Sequence, residues 1–162
     1  MGIYWHARPK IQHTKALTGS NSVFEWVLIA CQQTNGDILQ ERNIVFVVDD
    51  DMGILKAVQR LLRAHAYKPI LFSSAEAFKH HTDFEIATCV ILDINLKDGS
   101  GIELRRGLKI AGISVPVIYM TGNEDPAVRT AALESGCIGF LTKPFSVQAL
   151  MEPLKKASAG RS

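Results

Sequence analysis

Five short apolar runs, each followed by a stretch with helical spacing, constrain this chain more than any other feature. Residues 44–48 read Ile-Val-Phe-Val-Val, a β-branched run with no polar interruption, the mark of a strand buried on both faces. Ile54, Val58, Leu61, Leu62 and His65 then recur at helical spacing. Further strands are expected at 69–72, 88–92, 115–120 and 138–141. Pro116 stands at the start of the fourth, where a missing donor is tolerated. Further helices are expected from about Ala75, at 100–110, at 126–135 and at 146–157. Ser74 can cap the first of these, with Ala77, Phe78 and His81 on its facing side. Pro126 suits a first turn, and Gly112 and Gly136 suit helix ends. Repeated strand–helix units with apolar strands require a parallel sheet covered on both faces. Right-handed crossovers and a length of 162 residues favour an α/β, doubly wound, five-stranded sheet in the order 2-1-3-4-5.

Residues 1–42 lie outside this alternation. Polar clusters surround one apolar run at 23–29. They read as an extension, poorly ordered or with one short helix, ahead of a domain at 43–159 and a tail at 160–162. Leu28-Ile29-Ala30-Cys31 looks like a lipoprotein cleavage site, preceded by Arg8, Lys10 and Lys15. Glu25 interrupts its short apolar core, so an accidental match is the better reading. No apolar stretch is long enough for a membrane span. A net charge of +2, with no basic face carrying interleaved aromatics, argues against nucleic-acid binding. Cys31, Cys89 and Cys137 are irregularly spaced, which fits neither a disulfide framework nor a metal site. A reduced, cytoplasmic protein is expected. Cys89 reads as a small buried hydrophobe, and His80 and His81 as surface residues.

In open α/β sheets, ligands bind beyond the carboxyl ends of the strands. At that edge stand Asp49, Asp50 and Asp51 after the first strand, Asp93 after the third, Thr121 and Gly122 after the fourth, and Lys143 and Pro144 after the fifth. Carboxylates crowded together repel unless a cation or protons neutralise them. Oxygen-only ligands select a hard cation, and Mg²⁺ takes few carboxylates, leaving positions for phosphoryl oxygens. Asp93 can then act as a nucleophile that forms an aspartyl-phosphate. Lys143, Thr121 and backbone N–H groups can stabilise the equatorial oxygens. Singly, each residue has a plainer reading. Asp50 or Asp51 can cap a helix, Thr121 can be a turn residue, and Lys143 a solvated charge. Their recurrence at the ends of four strands on one side favours the functional reading.

Five segments carry a resemblance in register. They are Val-Phe-Val-Val-Asp-Asp-Asp at 45–51, Val-Ile-Leu-Asp-Ile-Asn-Leu at 90–96, Gly-Ser-Gly-Ile-Glu-Leu at 99–104, Pro-Val-Ile-Tyr-Met-Thr-Gly at 116–122 and Gly-Phe-Leu-Thr-Lys-Pro-Phe at 139–145. Over residues 43–159 the chain resembles the receiver domains of two-component response regulators, which have a flavodoxin-like fold. The resemblance implies Asp93 as phosphoacceptor and Asp50 as direct Mg²⁺ ligand. It implies Asp49 as the acid holding a metal-bound water, and Asn95 as the donor of a backbone carbonyl to the metal. Thr121 corresponds to the switch hydroxyl, Lys143 to the cation pairing with the phosphoryl group, and Phe140 to the aromatic switch residue. A cis peptide before Pro144 is also implied. Lys97 departs from the pattern, since many members carry proline there. Phe140 lacks the hydroxyl of the commoner tyrosine. Asn95 and Asn123 lie where members vary and tune dephosphorylation.

The implied activity is a phosphorylation-dependent signalling switch that catalyses only its own phosphorylation and dephosphorylation. The implied partners are a sensor histidine kinase or phosphotransfer protein and a downstream protein target. A homodimer through the face of helix four, strand five and helix five is open by analogy. The chain ends shortly after its last helix, which suggests a stand-alone receiver, while a fragment of a longer regulator remains open. Two other classes compete. A haloacid-dehalogenase-type phosphatase wants a second acid two residues after its nucleophile, where this chain has Asn95. A vestigial binding module usually lacks an acid or the lysine, and here all are present.

Overall fold

The computed structural model describes residues 43–123 and 125–160. The extension at 1–42, expected to be poorly ordered or to hold one short helix, lies outside them, with Cys31 and the lipoprotein-like segment. Five strands, β1 (Ile44–Val48), β2 (Lys68–Phe72), β3 (Ala87–Asp93), β4 (Val117–Thr121) and β5 (Gly139–Thr142), form one parallel sheet in the order β2-β1-β3-β4-β5. This is the doubly wound, flavodoxin-like topology. Five helices connect and follow the strands: α1 (Met52–Ala64), α2 (Ala75–Lys79), α3 (Gly101–Ile110), α4 (Pro126–Glu134) and α5 (Val147–Ala159). No helix among the described residues is long and apolar enough to cross a membrane.

Each central strand is buried on both sides, and its side chains alternate between two cores. Phe46, Val48, Val90, Leu92, Val117 and Tyr119 meet α2, α3 and α4 through Phe78, Leu104, Leu108 and Ala132. Val45, Val47, Cys89, Ile91, Ile118 and Met120 meet α1 and α5 through Leu55, Val58, Leu62, Leu150 and Leu154. Cys89 is fully buried, as expected.

Helix ends follow local chemistry. Asp51, Ser74, Ser100, Asp125 and Ser146 each accept a backbone N–H at an N-terminus. Gly112 and Gly136 have φ of 74° and 82° just past α3 and α4, where glycine carries no Cβ penalty.

Several boundaries differ from expectation. β4 begins at Val117, after Pro116, which cannot donate to the ladder. The Pro116 carbonyl still accepts from Val90 N at 2.9 Å. His65 lies just beyond α1 and is exposed, because the chain turns through Ala66 at φ 63°. Ala77 is also exposed, so α2 packs through Ala75 and Phe78. His81, expected at the surface, is half-buried. Its ring lies edge-on to Phe46 at 4.8 Å and near Phe72 and Phe84 at 5.4 Å each. Apolar ring faces there outweigh the exposure expected of a polar side chain. His80 is exposed and pairs with Glu76 at 3.0 Å.

Candidate functional site

The parallel register brings the carboxyl ends of β1, β3, β4 and β5 to one edge, opposite the side where the strands begin. Asp49 and Asp50 leave β1, Asp93 closes β3, Thr121 closes β4, and Lys143 follows β5. Carboxylate oxygens of Asp49, Asp50 and Asp93 lie within 4.8 Å of one another. Asp49 is fully buried and Asp93 nearly so.

Two lysines hold this acidic group together. The Lys143 ammonium donates to Asp49 Oδ2 at 2.6 Å and to Asp93 Oδ2 at 3.0 Å. Lys97 Nζ lies 3.2 Å from Asp50 Oδ2. Burial pushes the Asp93 carboxyl above its usual range, and the neighbouring Asp49 charge adds to this. Lys143 opposes both without cancelling them. Burial disfavours the charged form of Lys143, but its hydrogen bonds to Asp49 and Asp93 outweigh it and raise its pKa. The Lys143–Pro144 peptide is cis, in line with the resemblance.

Local backbone chemistry sets the positions of these groups. Asp51 caps α1 by accepting from the N–H groups of Gly53 and Ile54. Those bonds hold its carboxyl below the usual range. Its own N–H donates to Asp49 Oδ1 at 2.8 Å, so the cap also orients the buried acid. After Asp93, residues Asn95–Leu96 and Gly99–Ser100 form a two-stranded ribbon. Asp98, in the ribbon's turn, accepts from the Ala75 and Glu76 N–H groups, each at 2.9 Å. This ties the loop to the start of α2. A Cβ on Gly101 would lie 2.3 Å from the Asp93 carbonyl oxygen, so only glycine lets α3 begin against the end of β3.

Thr121 and Asn95 complete the edge. Asn95 N donates to Asp93 Oδ1 at 3.3 Å, and its Nδ2 donates to Thr121 Oγ1 at 3.3 Å. Thr121 Oγ1 also accepts from Asn123 N at 3.0 Å and faces the Asn123 carbonyl. Phe140 stands opposite Tyr119 in the β4–β5 register, half-buried, with the Arg129 guanidinium 5.0 Å from its ring centroid. It is therefore one strand removed from the carboxylates.

The sequence points to Asp49, Asp50, Asp93, Asn95, Thr121 and Lys143, and the fold brings these six together. It does not single out Asp98, Gly101 or Arg129, and it marks Lys97 only as a departure from the family pattern. Lys97 is detectable as a cation four residues past Asp93, long enough to reach back. The Arg129 contact depends on how α4 sits against β5 and leaves no sequence signal. The donor set suits a hard cation. It is all oxygen, with three carboxylates and neither thiol nor imidazole.

A response regulator receiver domain matches residues 45–155. The chain is 29% identical over 127 residues to the response regulator protein TodT of Pseudomonas putida, covering 78% of this chain and 56% of TodT. It is 32% identical over 117 residues to the response regulator protein TmoT of Ectopseudomonas mendocina, covering 72% and 53%. The solved structure of the response regulator StyR superposes with a TM-score of 0.67 at 34% identity, over 73% of this chain and 61% of StyR. The chain thus spans about half the length of the curated relatives it matches.

Proposed function

We propose that this chain, which belongs to the response regulator receiver domain family of two-component signalling, is a switch that takes a phosphoryl group on Asp93. The donor is a phosphohistidine on a sensor histidine kinase or phosphotransfer protein. One observation carries the reading: the Lys143 ammonium sits between two carboxylates of a three-acid cluster, on hydrogen bonds of 2.6 and 3.0 Å.

The Asp93 Oδ attacks phosphorus; the new O–P bond forms as the N–P bond breaks, and the imidazole leaves with the electron pair. Asp50, Asp93 and the Asn95 carbonyl, with Asp49 beside them, would hold Mg²⁺, which would supply neutralising charge to the transferring group. Lys143 exchanges its bond to Asp93 Oδ2 for one to a phosphoryl oxygen. Thr121 gives up Asn95 and Asn123 for the same group. With Thr121 displaced, Phe140 turns inward and releases Arg129, so the face of α4, β5 and α5 changes shape. A downstream protein target reads that face, which also serves a homodimer. Water attack on the acyl phosphate restores Asp93, so the catalysis acts only on the protein itself. The protein works in the cytoplasm, through proteins and with no direct contact to nucleic acid or membrane.

Acetyl phosphate with Mg²⁺ tests this reading by intact mass. One phosphoryl adduct that is lost in base, and absent from Asp93→Asn, is the expected result. An adduct of equal yield on Asp93→Asn overturns the assignment.

A further inference from the structure

We infer that the cleft between α3 and α4 binds a small oxyanion, a phosphorylated or polycarboxylate metabolite, at a site separate from the acidic edge. The cleft has a volume of about 300 Å³ and is lined by Arg105, Arg106 and Lys109 from α3 and by Glu134 and Ser135 at the end of α4. Its place in the fold sets it apart from Asp93. Arg105 donates to the carbonyl of Val115 at 2.9 Å, and Val115 precedes β4. The cleft therefore opens at the amino ends of the strands, the rim opposite the carboxylates.

Arg105 is the reason to expect a ligand. Its side chain is only 9% exposed, yet among the described residues no carboxylate lies within ion-pair distance of it. Its Nε–H is buried with no hydrogen-bond partner. A buried guanidinium without a counter-charge is strongly disfavoured, and an unmade charged hydrogen bond adds to that. Arg106 and Lys109 are likewise without an ion pair among the described residues. Three cations against the single Glu134 carboxylate leave the cleft positive. Guanidinium forks match phosphate and carboxylate oxygens in pairs. The volume lies at the small end of ligand pockets, which suits a compact ligand with little apolar surface. A bound oxyanion would supply the counter-charge that Arg105 lacks and bridge α3 to α4.

The test is calorimetric titration of metal-free protein with inorganic phosphate and with citrate, at ionic strength fixed by sodium chloride to equalise screening. The variants are Arg105→Gln, Arg106→Gln with Lys109→Gln, and Arg60→Gln, alone and with Lys56→Gln, as charge-matched controls at exposed positions of α1. Saturable binding of at least one probe by wild type and both controls, weakened about ten-fold or more in both cleft variants, is the expected result. The double cleft variant changes only exposed side chains, so it decides the matter if Arg105→Gln fails to fold. Absence of saturable binding of both probes, or equal affinity in the folded cleft variants, overturns the inference.

Discussion

Asp93 is held in surroundings that favour its neutral form, and this has a consequence for stability. Its folded pKa is raised above the unfolded value. The protonated carboxyl therefore contributes stability that is fully present below the unfolded pKa and lost as pH rises through the folded one. Asp93→Asn fixes a neutral group at the same position. In metal-free buffer, the variant is expected to be more stable than wild type at pH 7. Its advantage should shrink as pH falls towards 4, measured by urea denaturation at both values. Lys97 supports a second prediction. Its ammonium lies 3.2 Å from the Asp50 carboxylate, one of the three acids that could hold a metal ion. The lysine is highly exposed, and exposed pairs are worth at most about 1 kcal/mol. Lys97→Ala should therefore tighten Mg²⁺ binding by no more than about five-fold. Calorimetry that finds weaker binding would show that Lys97 assists the cation instead of competing with it.

At the scale of elements, the acidic edge depends on how loops are tied down. Asp98 links the loop after β3 to the start of α2 through two N–H groups, and Gly101 lets α3 start against the backbone of Asp93. Gly101→Ala must shift that backbone, since overpacking at such a contact costs about 1–3 kcal/mol. The expected result is a lower urea midpoint together with slower labelling by acetyl phosphate. Asp98→Ala removes a cap-like pair of bonds, for which about 0.5–2 kcal/mol is typical. The same elements show what was legible in the sequence. The strands were plain, because 44–48 and 89–92 are apolar without interruption, as strands of a buried parallel sheet are. Their ends were less so. Pro116 sits in an extended segment and its carbonyl joins the ladder, yet the strand begins one residue later. His81 follows a helical face but is placed by three aromatic rings, a tertiary effect that spacing alone does not reveal.

For the whole molecule, two cores on opposite faces of one sheet fix the strands, and the strands fix the site. Leu150 and Leu154 are fully buried against the α1–α5 face, far in sequence from Asp93. Leu154→Ala is expected to cost about 2–5 kcal/mol, read from chemical denaturation. Six of the site residues were legible because strand order and strand direction alone bring their positions to one edge. The pairing of Lys97 with Asp50 and of Arg129 with Phe140 was not, because each depends on side-chain reach across loops and helices. The central claim is that this edge makes Asp93, and no other acid, the phosphoacceptor. Hydride reduction of the acetyl phosphate adduct, followed by peptide sequencing in the mass spectrometer, reads the acceptor directly. Homoserine at position 93 is the predicted result. Homoserine at 49 or 50, or none in protein that carries the adduct, would contradict it.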